Sequence, residues 1–141
     1  MIVLDTTVLV YAVGAAHPLR TPCRRLIAER TSAITTTAGV IQEFVHVRSR
    51  RRSRAEAVQL GTAYLTLLSP LLDVPDRAVM DALELLGQHC DLGAFDAVLA
   101  AAARAARCEA LVTADRAFGE IDGLPVRYPD AVGLSDLLPG Q

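Results

Sequence analysis

The sequence predicts an α/β fold built on a parallel sheet of four to five short strands. Three observations carry that reading. Short apolar runs, Ile-Val-Leu in "MIVLD" and Ala-Leu-Val in "EALVTAD", have the character of strands buried on both faces. Other segments place apolar residues at helical spacing, most clearly "DLGAFDAVLAAAARAAR". The two kinds alternate along the chain, as parallel strands joined by helical crossovers require. With 141 residues and no repeat, low-complexity linker or composition break, a single domain over 1–141 is expected.

The elements follow in order. "MIVLD" is the first strand, and a helix follows from Thr6 or Thr7, either of which can cap it. In "HPLRTPCRRLIAER", Pro18 and Pro22 stand where helices begin, and Leu26 and Ile27 point inward. "SAITT" reads as the second strand, and Thr35 to Thr37 as the cap of the next helix. That helix, "AGVIQEFVHVRSRRR", carries Val40, Ile41, Phe44, Val45 and Val47 as a broad apolar stripe. "SRAEAVQLGTAYLTLL" opens with a Ser53 to Glu56 capping box. "LLDVP" is a third short strand and "DRAVMDALELLGQH" the helix after it. Asp91 is a plausible N-cap for the alanine-rich helix, "EALVTAD" is a fourth strand, and one turn of helix, "RAFGEI", follows it. "PVRY" suits a sheet edge.

Composition narrows the class. Hydrophobic residues make up 52% but aromatics only 4%, with no Trp, so the core is aliphatic. The apolar start lacks a basic lead and is broken by Asp5, unlike a signal peptide. The run Ala97 to Ala103 falls far short of the roughly 20 residues of a spanning helix. A cytoplasmic chain without membrane attachment is therefore expected. Cys23, Cys90 and Cys108 have no metal-ligand spacing and read as reduced, mostly buried thiols. Net charge is −2, yet the 14 basic residues are all arginine, and five of them, Arg48, Arg50, Arg51, Arg52 and Arg54, cluster in "RSRRRSR".

In parallel sheets ligands bind beyond the carboxyl ends of the strands. Asp5 ends the first strand and Asp115 follows the fourth, while Glu43 and Asp96 interrupt apolar helix segments. Each alone has an ordinary reading: Asp5 and Asp115 as helix caps, Glu43 and Asp96 on solvated helix faces. Together, with no lysine in the chain to neutralise them, converging carboxylates would repel one another. A hard divalent ion with oxygen ligands, Mg²⁺ or Mn²⁺, relieves that repulsion. Thr6 and Thr113 can supply hydroxyls that orient a carboxylate or a water. His17, His46 and His89 are scattered; His46 stands three residues beyond Glu43 but makes no ligand set by itself.

Taken in order, "IVLDTTVLVYA", "VIQEFV", "GAFDAVLAAAA" and "LVTADRAF" resemble the PIN-domain family, and more narrowly the VapC-type toxins of toxin–antitoxin pairs. The resemblance spans nearly the whole chain. It implies a three-layer α/β/α fold and an acidic pocket that binds Mg²⁺ or Mn²⁺ and cleaves RNA. It places the acidic quartet on Asp5, Glu43, Asp96 and Asp115, with Asp5 and Asp96 as direct metal ligands and Thr113 as the hydroxyl of the last motif. It also implies a homodimer and a small cognate antitoxin that covers the pocket. One departure stands out: the family commonly has Asn two residues after the first Asp, where this chain has Thr7.

The expected activity is metal-assisted hydrolysis of RNA phosphodiesters. The arginine cluster suits phosphate, because the guanidinium fork binds two oxygens at once, but it equally suits an antitoxin or dimer contact or a solvated helix end. A receiver-type phospho-acceptor site fits poorly because the chain lacks lysine, and a D-x-D phosphatase because Thr7 stands at the second acidic position. The alternative from another class is a non-catalytic PIN-like module that binds RNA or protein.

Overall fold

A computed structural model describes residues 1–138 and 140. Among them, β1 (Ile2–Leu4), β2 (Ile34–Thr35), β3 (Ala110–Val112) and β4 (Val126–Arg127) form one sheet in the order β2-β1-β3-β4. Every pairing is parallel; Ile2 faces Ile34 on one side and Ala110 on the other. Helices α1 (Thr6–Val13), α2 (Arg20–Glu29), α3 (Ala38–Arg51), α4 (Arg54–Leu68), α5 (Asp76–Gln88) and α6 (Ala94–Ala105) flank the sheet in an α/β/α arrangement. A short 3-10 helix spans Arg116–Glu120. Strands β1 and β3 are wholly buried, which is why they read as unbroken apolar runs.

The chain leaves β1 toward β2 on one side and returns as β3 on the other side of β1. The carboxyl ends of β1 and β3 therefore flank the point where strand order reverses, the place where open α/β sheets form a crevice. Asp5 and Thr113 to Asp115 lie there. Main-chain bonds carry the register one residue past the strands: Asp5 N donates to Val112 O at 3.0 Å, and Thr113 N to Arg127 O at 3.1 Å.

Several expectations are corrected. "LLDVP" forms no strand; Leu72 makes a single bridge to Thr37, with its N–H donating to Thr36 O at 2.9 Å. β2 has no further residues to offer, because Thr37 already caps α3 through its hydroxyl and the Val40 N–H. Pro70 and Pro75 on either side also lack the donors a ladder needs. Asp5, not Thr6 or Thr7, caps α1, accepting from the Thr7 N–H. Gly93, not Asp91, stands at the N-cap of α6. Ser53 caps α4 as expected, but the Glu56 carboxylate turns to Arg48 and Arg52 instead of closing the box. "PVRY" is an edge strand, β4, and two of the three thiols, Cys23 and Cys108, are buried while Cys90 is exposed.

The packing of α3 matters most for the site. Phe44 is fully buried and meets Tyr64 of α4 edge to face, ring centroids 4.9 Å apart, and the Tyr64 hydroxyl donates to Leu9 O of α1 at 2.9 Å. At Gly61 a Cβ would stand 2.5 Å from Val45 Cγ2, so α3 and α4 approach as closely as a glycine allows. These contacts fix the rotation of α3 and turn the residue beside Phe44, Glu43, toward the sheet's carboxyl edge.

Candidate active site

Asp5 is 3% exposed at the end of β1, and its Oδ2 is the hub of the site. That oxygen accepts from the Thr7 hydroxyl at 2.8 Å, the Thr113 hydroxyl at 2.8 Å and the Thr7 N–H at 3.5 Å. Each hydroxyl has one proton, and each also accepts a backbone N–H: Ala114 N to Thr7 Oγ1, and Asp115 N to Thr113 Oγ1, both at 2.9 Å. The direction of both hydroxyl bonds is thereby fixed toward Asp5. With Oδ2 saturated, Oδ1 is the oxygen left for a ligand; among the described residues it receives no hydrogen bond.

Glu43 reaches the same point from α3, and its Oε2 accepts from the Thr6 hydroxyl at 2.6 Å. Asp96 arrives from the first turn of α6. One carboxylate oxygen each from Asp5, Glu43 and Asp96 lies within 4.8 Å of the others. The burial of Asp96, and then the negative charges of Asp5, Glu43 and Asp115, push its carboxyl up to about 7. The shift comes first from burial and then from neighbouring carboxylates, and an all-oxygen donor set of this size fits a hard divalent ion.

The fourth acid behaves differently. Asp115 lines the same cavity of about 290 Å³ but lies outside the close triad, and its Oδ1 caps the 3-10 helix through the Ala117 N–H at 2.9 Å. The cap reading of Asp5 holds, since its Oδ2 accepts from the Thr7 N–H, and the same residue also lines the cavity.

The arginine cluster divides. Arg48 is drawn inward, 12% exposed, donating to Glu56 Oε1 at 2.8 Å, and Arg52 lies 3.6 Å from the same carboxylate. Arg51 lines the acidic cavity, whereas Arg50 and Arg54 are exposed. His46 is exposed on α3. The role of Thr7 was not legible in the sequence: in place of a side-chain amide its hydroxyl bridges Asp5 and the loop after β3. Only its bond to Asp5 has a local signal, because a hydroxyl two residues after an Asp is well placed to bond its carboxylate, whereas the bond from Ala114 N comes from 107 residues away.

The PIN domain family profile matches residues 2–124. The chain belongs to the PIN-domain family. Among curated relatives of this PIN domain, Ribonuclease VapC7 of Mycobacterium tuberculosis is 50% identical over 145 residues, covering 98% of each chain. Ribonuclease VapC13 of the same organism is 30% identical, covering 88% of this chain and 97% of its own. This PIN domain is thus of the VapC type. The structure of VapC20 from Mycobacterium tuberculosis, described as a toxin cleaving the sarcin-ricin loop, superposes with a TM-score of 0.74 at 21% identity, covering 84% of this chain and 93% of its own. That structural likeness speaks to the fold alone.

Proposed function

We propose that the chain is a divalent-metal-dependent endoribonuclease acting as the toxin of a toxin–antitoxin pair. The observation that carries the reading is the triad of Asp5, Glu43 and Asp96 oxygens within 4.8 Å at the sheet's switch point. Its relatives' names, Ribonuclease VapC7 and Ribonuclease VapC13, support RNA as the substrate class.

Asp5 Oδ1 and the Asp96 carboxylate would hold Mg²⁺ or Mn²⁺, with Glu43 as a third oxygen donor or the acceptor of a bound water. Such an ion would lower the pKa of a bound water so that it can lose a proton and attack phosphorus as hydroxide, and would set a positive charge opposite the developing phosphate charge. Thr6 holds Glu43 in place, and Thr7 with Thr113 fix the Asp5 plane. Asp115, at the cavity rim, adds negative charge and orders the loop after β3. No side chain need act as a nucleophile. Arg51, Arg50, Arg52 and Arg54 supply the cationic side of the cleft for phosphates, while Arg48 ties α3 to α4.

A small antitoxin covering the acidic cavity is the partner we assign, and a structure of a VapBC complex from Rickettsia felis at 22% identity has the same fold. Met80 and Leu83 of α5, 65% and 60% exposed, suit a homodimer contact. Among the described residues no helix is long and apolar enough to cross a membrane, and we assign the protein to the cytoplasm.

The test is cleavage of an unstructured RNA in Mg²⁺ and in Mn²⁺, with a chelator control. The wild type should cut and the chelator should stop it, whereas Asp5→Asn and Asp96→Asn should fold but fall by at least about 100-fold. RNA binding without cleavage in either ion would favour the non-catalytic module instead.

A further inference from the structure

Beside the acid triad lies a second cavity, of about 430 Å³, lined by Gly39, Gln42, Glu43, His46 and Val47 of α3 and by Phe95 of α6. The five α3 residues follow i, i+3, i+4, i+7, i+8 and so form one helix face. Phe95 is 79% exposed, in a chain with only three Phe, three Tyr and no Trp. It stands in the first turn of α6, immediately before Asp96. Glu43 and Val47 belong to the walls of both cavities, so the space lined by Phe95 lies next to the acids.

We infer that this cavity is a nucleobase subsite, in which an unpaired base next to the cleaved phosphate stacks on Phe95. The inference rests on the ribonuclease reading and names what selects its substrate. Three features favour a base over an apolar side chain. An exposed aromatic ring provides a stacking face that every base can use. Gln42 and His46 offer donors and acceptors on the cavity wall, which a base edge can satisfy and an aliphatic group cannot. The same α3 face continues one turn on to Arg50 and Arg51, so metal, base and phosphate positions run along a single helix. A base held there sets which phosphodiester faces Asp5 and Asp96, and Gln42, which carries both a donor and an acceptor, distinguishes one base from another.

Two readouts test this. Cut sites are mapped on an unstructured RNA of random sequence for wild type, Phe95→Ala, Phe95→Tyr and Gln42→Ala. Separately, a short oligonucleotide carrying 2-aminopurine is titrated into Asp96→Asn protein and into the Asp96→Asn, Phe95→Ala double variant. The wild type should prefer certain bases at one position beside the cut. Phe95→Ala should raise KM by about tenfold or more and flatten the preference, Phe95→Tyr should restore both, and Gln42→Ala should alter which base is preferred. Quenching of 2-aminopurine should vanish with Phe95. If the wild type fails to cut but quenching still depends on Phe95, the ribonuclease reading falls and the base pocket stands. Unchanged cut sites, KM and quenching in Phe95→Ala overturn the pocket. So does loss of self-association in Phe95→Ala with RNA behaviour intact, which would make this face a protein interface.

Discussion

At the residue scale, the central object is the Asp5 carboxylate, whose two oxygens have separate tasks. Thr7 and Thr113 each pass a hydrogen bond from the loop after β3 to Oδ2. Thr7→Val keeps the shape and removes both bonds, leaving the Ala114 N–H without its partner. We expect metal affinity to fall about 10- to 100-fold, read by titration calorimetry, and stability to fall by about 1–3 kcal/mol, read by chemical denaturation. Thr7→Ser should behave nearly as wild type. Asp96 makes a prediction about pH. Its carboxyl rises from 3.8 to about 7 in the folded chain, so between those values the folded state binds a proton the unfolded state lacks. The stability of the metal-free protein should therefore fall as pH rises through this window and level off above about 7. Asp96→Asn should flatten that slope in thermal melts. The acids themselves were legible as carboxylates in apolar surroundings. The bridging by Thr7 was not, since it depends on β3 arriving beside β1, more than a hundred residues later.

At the element scale, the position of Glu43 depends on how tightly α3 sits against α4. Gly61→Ala would force its methyl against the β-branched Val45 side chain, which has no rotamer freedom to spare. We expect a loss of about 1–3 kcal/mol, measured by urea denaturation, with a further fall in cleavage as α3 shifts. All six helices and β1, β2, β3 and β4 could be placed from apolar period and turn residues. The structure differs at helix caps and in one whole expected strand, "LLDVP", which does not form. "LLDVP" has strand composition, but whether it pairs depends on β2 having exposed backbone to offer, and α3 begins too soon for that. Glu56 has the sequence of a capping-box residue; Arg48, eight residues back across the α3–α4 turn, attracts it away.

Across the whole molecule, the sheet order β2-β1-β3-β4 brings acids from four separate segments to one edge. That convergence was expected from the fold class together with the family resemblance, because spacing alone cannot specify which loops meet. The division of the arginines was out of reach of the sequence, since five neighbouring cations look alike until α4 offers Glu56 to Arg48 and Arg52. Neutralising Arg50 and Arg51 to Gln should reduce the salt dependence of RNA binding, with the slope of log affinity against log salt falling by about 0.7 for each phosphate no longer neutralised. We propose that Asp5, Glu43 and Asp96 form a metal site. The most direct measurement is Mn²⁺ titration calorimetry at pH 6.5 in two buffers of different ionisation enthalpy. Asp96, protonated in part at that pH, must give up its proton to bind, so we predict saturable binding with net proton release, both lost in Asp96→Asn. Binding of equal strength in wild type and Asp96→Asn, without proton release, would contradict the account.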